Sequence, residues 1–472
     1  MNAQPNLFLA DLGPELDLTP ATVRDACLTI RRNRDAWLSK LRTRQIAEII
    51  AYTAEQWLEP DCGFRARLLQ EAPPTLGIGT STLARGLDTF LRQLTLENLE
   101  GVVIQDLGDA KRLDDFSSGV IEVRHGRSAM ARGPLLLGHL TAGNLPVPAL
   151  HSMVLGLLVR SAQFIKCASG ASLVPRLFAH SLAQTEPRIA SSLEIAEWSR
   201  DSSDLDAALF SEVDCLTATG SDEMLTDVRS RVPIRTRFLG YGHRVSFAYV
   251  SGEMLSTYST RRVIRDLAND VTAWNQLGCL SPHVIYVQDD GALSPEGVAE
   301  QLAEELARRE AEDPRGDIPL PDANAIVSRR AVYQLRAAMS QESVARISVE
   351  SAFRDTPTGV RIWTSPDSTA WTVVHDADPR FELSCLNRFI YVKGVRQFSE
   401  VLRFAEPVRR HISTVAIAAP DSRAIELARE LARWGVPRVC PVGRMQDPPF
   451  AWRHDGRPAL GDLIEWTDFE TA

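Results

Sequence analysis

Seven cysteines occur in this chain of 472 residues, and one of them stands where a nucleophile could work. Cys279 lies in the stretch Trp274-Asn275-Gln276-Leu277-Gly278-Cys279-Leu280-Ser281-Pro282. Val263, Leu267 and Val271 precede it at helical spacing, and the apolar run Val284, Ile285, Tyr286 and Val287 follows. A glycine directly before the thiol and a proline shortly after it predict a tight turn between helix and strand. Thiolate is a strong nucleophile even when only a small fraction of the thiol is ionised. Residue type and placement leave a second reading open, a half-buried loop thiol. A Cys–His pair with His283 is the less favoured reading, because groups that close on a turn into a strand usually point apart. No further ligands stand nearby at metal spacing, so no metal site is expected.

Three other segments could serve such a cysteine. Asn144 lies in Gly138-His139-Leu140-Thr141-Ala142-Gly143-Asn144-Leu145-Pro146. Its amide could donate to an oxyanion, or it could cap the helix that follows. Lys166 ends a strand pattern at 163–168 and is either a surface lysine or a cation for an anionic ligand. Gly220-Ser221 follows a strand pattern at 213–219 and opens a helix. Glycine permits close backbone approach, and a helix N-terminus favours an anion. Against this, Asp222 and Glu223 already neutralise that helix end, and an ordinary serine cap is the competing reading. Gly77-x-Gly79 has no strand before it and reads as a turn, not a phosphate loop.

Rigid elements must position these residues. The region 18–110 reads as helical, opened by Thr19 as cap and Pro20 in the first turn. From 133 onward, strands at 135–140, 163–168, 193–198 and 213–219 alternate with helices at 147–160, 173–184, 204–210 and 222–230. That alternation predicts a parallel sheet covered on both faces, with ligands at the carboxyl ends of its strands. A second alternation starts with a strand at 245–250 and runs through the cysteine segment. It continues with a helix at 295–310, strands at 345–350, 371–375, 389–395 and 413–418, and helices at 398–404 and 423–434. Glu304/Arg308 and Glu305/Arg309 read as a solvated helix face, as do Arg329, Arg330 and Arg336.

Composition sets bounds. The length predicts two domains. A net charge of −9 leaves no basic footprint for nucleic acid. Seven scattered cysteines without a Cys-x-x-Cys pair fit thiols in a reducing cytosol. The first twelve residues show neither a basic region nor an apolar run, so a cytoplasmic location is expected. The longest apolar stretch, 145–159, contains two prolines and a histidine and is too short to span a bilayer.

Asn-Gln-x-Gly-Cys-x-Ser-Pro at 275–282 resembles the cysteine segment of LuxC-like acyl-CoA reductases, fatty-acid reductases within the aldehyde dehydrogenase superfamily. The general superfamily pattern is Gly-Gln-x-Cys. Here glycine directly precedes the cysteine, as in the acyl-CoA reductase branch. Gly143-Asn144-Leu145-Pro146 resembles the Gly-Asn-x-Pro segment of the same branch, and residues 435–445 with 452–456 resemble its closing segment. Lys166 is similar to the lysine of the superfamily Lys-Pro segment, with Cys167 in place of proline. Gly220-Ser221 resembles its Thr-Gly-Ser turn. Phe238, aligned through Leu239-Gly240, stands where oxidising aldehyde dehydrogenases carry a general-base glutamate.

The resemblance implies an α/β fold of the aldehyde dehydrogenase kind. Two domains, each with a largely parallel sheet covered by helices, would flank an interdomain active site. The expected divisions are a helical part at 1–110, a Rossmann-like dinucleotide-binding region at 111–242, a catalytic domain at 243–440 and a C-terminal segment at 441–472. The implied activity is NADPH-dependent reduction of an acyl thioester, acyl-CoA or acyl-protein, to an aldehyde through an acyl group on Cys279, with NADH as the alternative cofactor. The Asn144 amide and the Cys279 N–H would hold the oxyanion. Lys166 would meet the adenosine end of the cofactor, and Gly220 and Ser221 its pyrophosphate and nicotinamide. Without a base at Phe238, water would not be activated against the acyl-enzyme. The same resemblance implies an acyl-protein synthetase as partner, and a homo-oligomer is expected. A reading from another class is a cysteine-dependent acyltransferase or thioesterase that uses no nicotinamide. The strand–helix alternation before Gly220 weighs against it, since such an enzyme needs no dinucleotide domain.

Overall fold

Thr19 caps the first helix, Pro20–Ala36, by accepting from the Thr22 N–H, and Pro20 occupies the first turn, where a missing N–H costs nothing. The computed structural model describes residues 5–12, 18–143, 145–256, 259–347 and 359–471. Helices Thr43–Leu58, Gly63–Leu76, Thr80–Leu91 and Leu96–Leu107 follow the first, in agreement with the helical reading of this region. Gly77, with φ +62°, turns the chain between two of them. Two compact units emerge. One comprises Met1–Leu76, Ala84–His243 and Pro449–Ala472; the other comprises Gly77–Leu83 and Arg244–Pro448.

In the first unit the first six strands are β1 (Arg127–Arg132), β2 (Leu136–Leu140), β3 (Ala162–Cys167), β4 (Leu193–Glu197), β5 (Cys215–Thr219) and β6 (Arg237–Tyr241). Strands β2 to β6 form one sheet in the order β4-β3-β2-β5-β6, every neighbour parallel. Helices Val147–Leu158, Leu173–Thr185, Ser203–Glu212 and Asp222–Arg231 join them. Strand order reverses between β2 and β5, which opens a crevice at the carboxyl ends of those two strands. A polar chain crosses the three central strands: His139 Nδ1 meets Thr217 Oγ1 at 2.7 Å and its Nε2 meets Gln163 Oε1 at 3.0 Å. Burial holds the His139 pKa down at about 4, so the ring is neutral there. Gly156 lets its helix approach Gln163, because a Cβ there would stand 2.4 Å from that side chain.

Strands β1 and β6 had no clear signal in the sequence. β1 pairs antiparallel with Glu465–Glu470 and has only two buried residues, while its partner is exposed throughout. Neither therefore shows the apolar alternation that marks a strand over a core.

The second unit contains β7 (Val245–Val250), β8 (Pro282–Gln288), β9 (Val360–Thr364), β10 (Thr372–Asp376), β11 (Phe389–Val395), β12 (Ile412–Ala418) and β13 (Arg438–Pro441). Their order is β13-β12-β7-β8-β11-β10-β9, and only β9 runs antiparallel to its neighbour. Alternate residues feed two cores. Ala248, Val250, Ile285 and Val287 pack on one face with Val263, Leu267 and Val271 and with Val298, Leu302 and Leu306. Val245, Phe247, Tyr249, Val284 and Tyr286 pack on the other face with Tyr333, Val401 and Leu431. Fully burying such side chains is worth about 1.5–3 kcal/mol each, enough to hold the cysteine segment between two fixed elements.

Three expectations for this unit need correction. Helix Leu320–Ile347 covers Ala345 to Ile347, where a strand was expected, and the remainder of that call, 348–350, lies outside the described residues. Arg329, Arg330 and Arg336 are not a solvated face. Arg329 donates to Tyr391 Oη at 2.8 Å, Arg330 to Thr372 Oγ1 at 2.8 Å and to Trp371 O at 2.7 Å, and Arg336 lies 3.1 Å from Asp376. Arg308 pairs with Glu305 and Glu312, not with Glu304. No helix among the described residues is long and apolar enough to cross a membrane.

Candidate active site

Helix Thr260–Thr272 ends one residue before the cysteine segment. The chain then passes through three consecutive left-handed residues, Trp274, Asn275 and Gln276, with φ of +51°, +51° and +65°. Each costs an L-residue about 1–2 kcal/mol, so the turn persists only because its surroundings fix it. The fixing contacts come from a second left-handed triple, Leu386, Asn387 and Arg388, just before β11. Arg388, itself buried, donates Nε to Asn275 Oδ1 at 3.1 Å and Nη1 to Glu310 Oε2 at 2.8 Å. Asn275 Nδ2 donates to Arg315 O at 3.0 Å. Gln276 Nε2 donates to Pro282 O at 2.7 Å and to Phe389 O at 2.8 Å. β8 and β11 are parallel neighbours, so both turns lie at the amino ends of their strands. The carboxyl-end rule applied to the first sheet therefore does not locate the cysteine.

This clasp presents Cys279. All seven cysteines are among the described residues, and Cys279 alone is exposed. Its carbonyl accepts from the buried Ser246 Oγ at 2.8 Å. Burial pushes the Cys27, Cys167, Cys215 and Cys440 thiols up to about 12, and raises Cys385, so none of these supplies appreciable thiolate at neutral pH. His283 Nδ1 lies 3.1 Å from both the backbone N and the Oγ of Ser384. Among the described residues no group of three or more His, Cys, Asp or Glu is arranged to hold a metal ion.

Within the first unit, the ends of β3 and β5 carry Lys166 and the Gly220-Ser221 pair. Lys166, near the end of β3, accepts through its carbonyl from the Thr141 N–H at 3.1 Å. Its ammonium stands 5.8 Å from the Trp198 ring centroid, and burial lowers its pKa. The neighbouring Glu197, at the end of β4, accepts from the Gly170 N–H. Asn144 lies outside the described residues. The helix after it, Val147–Leu158, has Pro146 at its cap position and no side-chain cap. Ser221 does cap its helix, accepting from the Met224 N–H at 3.3 Å. The Met224 methyl covers Gly220, where a Cβ would stand only 2.1 Å away. Phe238 sits on β6 beneath the Arg229 guanidinium, 5.5 Å from the ring centroid, and offers no base.

Sequence reasoning missed Ser246, Arg315 and Arg388. A buried arginine between Asn387 and the apolar run of β11 was a readable oddity, since arginine is seldom fully buried without a partner. The partner itself lies 113 positions away and left no local trace.

A family described as acyl-CoA reductase (LuxC) matches residues 38–466. A long-chain acyl-protein thioester reductase of Aliivibrio fischeri is 22% identical over 437 residues, covering 91% of this chain and 83% of the relative. Long-chain acyl-protein thioester reductase 2 of Photobacterium leiognathi is 21% identical over 441 residues, covering 92% and 83%. Among solved structures, a putative aldehyde dehydrogenase PutA from Anabaena variabilis superposes with a TM-score of 0.69 at 16% identity, covering 96% of this chain and 93% of that one. Aldehyde dehydrogenase 21 from Physcomitrella patens gives 0.68 at 13% identity, covering 96% and 90%. The fold is that of the aldehyde dehydrogenases, with parallel sheets covered by helices, as expected.

Proposed function

Because the chain belongs to the LuxC family of acyl-CoA reductases, we propose that it reduces a fatty acyl thioester to an aldehyde with NADPH, using Cys279 as acyl carrier. The observation that carries this reading is an exposed thiol on a strained turn held by buried partners. Cys279 Sγ attacks the thioester carbonyl carbon. A new carbon–sulfur bond forms, the bond to the donor sulfur breaks, and the donor leaves as a thiol with the proton given up by Cys279. Exchange of one thioester for another is nearly balanced, so the acyl group stays reactive. A nicotinamide dinucleotide, when bound, supplies the hydride that converts the acyl group to aldehyde; the carbon–sulfur bond breaks, and the departing cysteine thiolate takes a proton from solvent. Phe238 in place of a base leaves water unactivated, which protects the acyl group from hydrolysis.

The crevice between β2 and β5 suits a dinucleotide, since reversal of strand order opens a groove at those ends. Lys166 would hold the adenosine end. A cation there is compatible with NADPH or NADH, and the choice of NADPH rests on the family resemblance. Gly220 and Ser221 would lie along the pyrophosphate, once the Met224 methyl moves. Relatives named for acyl-protein thioesters support an acyl group delivered on protein as well as on CoA. An acyl-protein synthetase as partner is part of this reading on the family resemblance alone. A homo-oligomer is also part of this reading. Light scattering measures it.

The direct test follows NADPH absorbance with a series of acyl-CoAs and an acyl-loaded protein, and identifies the aldehyde. Acyl transfer or hydrolysis without NADPH oxidation would instead favour the acyltransferase or thioesterase reading. Lys166→Ala is expected to weaken NADPH binding about tenfold or more, the loss of one charge-assisted contact, and to leave acylation of Cys279 unchanged. Fluorescence titration of NADPH reads this out, and unchanged affinity would move the adenosine end elsewhere.

A further inference from the structure

A turn late in the chain reaches back to the cysteine loop. The Gly443 and Met445 N–H groups donate to the two carboxylate oxygens of the buried Asp270, at 2.6 and 2.9 Å. Arg438 holds the opposite side, donating to Met445 O at 2.6 Å and Arg444 O at 2.7 Å. With its N–H groups and its carbonyls both engaged, the turn directs the next side chain to one place. The Gln446 amide lies on Gly278, and its Nε2 donates to the Oγ of the buried Ser281 at 2.6 Å. A Cβ at position 278 would stand 2.5 Å from that Nε2 and 2.9 Å from Oε1. Gly278 is not among the glycines with positive φ. Backbone conformation therefore does not demand glycine at 278; the volume taken by Gln446 does.

We propose that Gln446 is a positioning residue for Cys279. The peptide joining Gly278 to Cys279 carries both the thiol and the backbone N–H that would face a developing oxyanion. Gln446 holds the glycine side of that peptide, and Ser246 holds the cysteine carbonyl on the other side. A glycine before the cysteine thus has a physical reason: it makes room for an amide 168 residues further on. The inference rests on the reading of Cys279 as acyl carrier. Reactivity depends on where the thiol points, and a displacement of about 1 Å costs up to about 100-fold in rate.

The test is single-turnover acylation of the full-length protein by radiolabelled acyl-CoA, with the label located by peptide mapping. Gln446→Ala should slow acylation of Cys279 by about ten- to a hundred-fold. KM, NADPH affinity and melting temperature should hardly move. Gln446→Met keeps the bulk without the amide and should show the same loss. Gly278→Ala should reproduce it too, because the added methyl evicts the amide. The double variant Gly278→Ala/Gln446→Ala should then be no slower than Gln446→Ala alone, since both changes remove one interaction. Losses that multiply would overturn the proposal, as would acylation at the wild-type rate in Gln446→Ala. Label found on another cysteine in the wild-type protein would sink the parent reading along with this one.

Discussion

Cys279→Ala is expected to abolish both acyl transfer and NADPH oxidation, lowering turnover by about 10⁴-fold or more. Wild-type protein incubated with radiolabelled acyl-CoA in the absence of NADPH should retain label that neutral hydroxylamine releases. The alanine variant should retain none. Its fold should be intact, because Cys279 is exposed and fills no core volume. Surface substitutions of that kind typically stay within about 0.5 kcal/mol. Four other thiols offer no rescue: Cys27, Cys167, Cys215 and Cys440 are pushed up to about 12 by burial. Label persisting in Cys279→Ala would place the acyl group on another residue and dismantle the mechanism.

Asn144→Ala carries the second-largest expected effect. As an oxyanion donor, its amide matters most when charge develops on the thioester oxygen. Turnover should fall by about 100-fold or more, equivalent to ~2.7–4 kcal/mol of transition-state stabilisation. KM and melting temperature should stay near wild type. A capping asparagine gives the reverse pattern, a loss of about 0.5–2 kcal/mol of stability with turnover per folded molecule preserved. The helix that follows is entered through Pro146, two positions beyond Asn144, which favours the first outcome. Asn144→Asp separates the two roles further. A carboxylate still caps a helix, but it repels an oxyanion, so activity retained in that variant would leave the oxyanion to backbone donors.

Local signals carried well where they were strong. The run 284–287 and the helical spacing of Val263, Leu267 and Val271 bracketed Cys279 correctly, because the strand buries both of its faces and the helix buries one apolar face. Thr19-Pro20 marked a helix start, because cap chemistry needs only neighbours in sequence. The pattern from 133 to 230 revealed a parallel sheet, because strands buried on both faces read as apolar runs between amphipathic helices. The short edge strands Arg237–Tyr241 and Val360–Thr364 escaped notice, since each has only one fully buried residue and no alternation to detect.

The cysteine motif also gave a turn and a resemblance. It could not give the reason for its own letters. Asn275 and Gln276 are amides because a left-handed turn must hand its hydrogen bonds to Arg388 and Phe389, on a strand that only folding brings alongside. Ser246 reaches the Cys279 carbonyl from a neighbouring parallel strand, and Gln446 reaches Gly278 from a turn clamped by Asp270 and Arg438. The sequence by itself determined which residue carries the thiol and which elements flank it, because helix, strand and turn preferences act over a few residues. Tertiary structure decided how the thiol is held, because strain in the turn is offset by partners brought together only when the sheet and its long crossovers close.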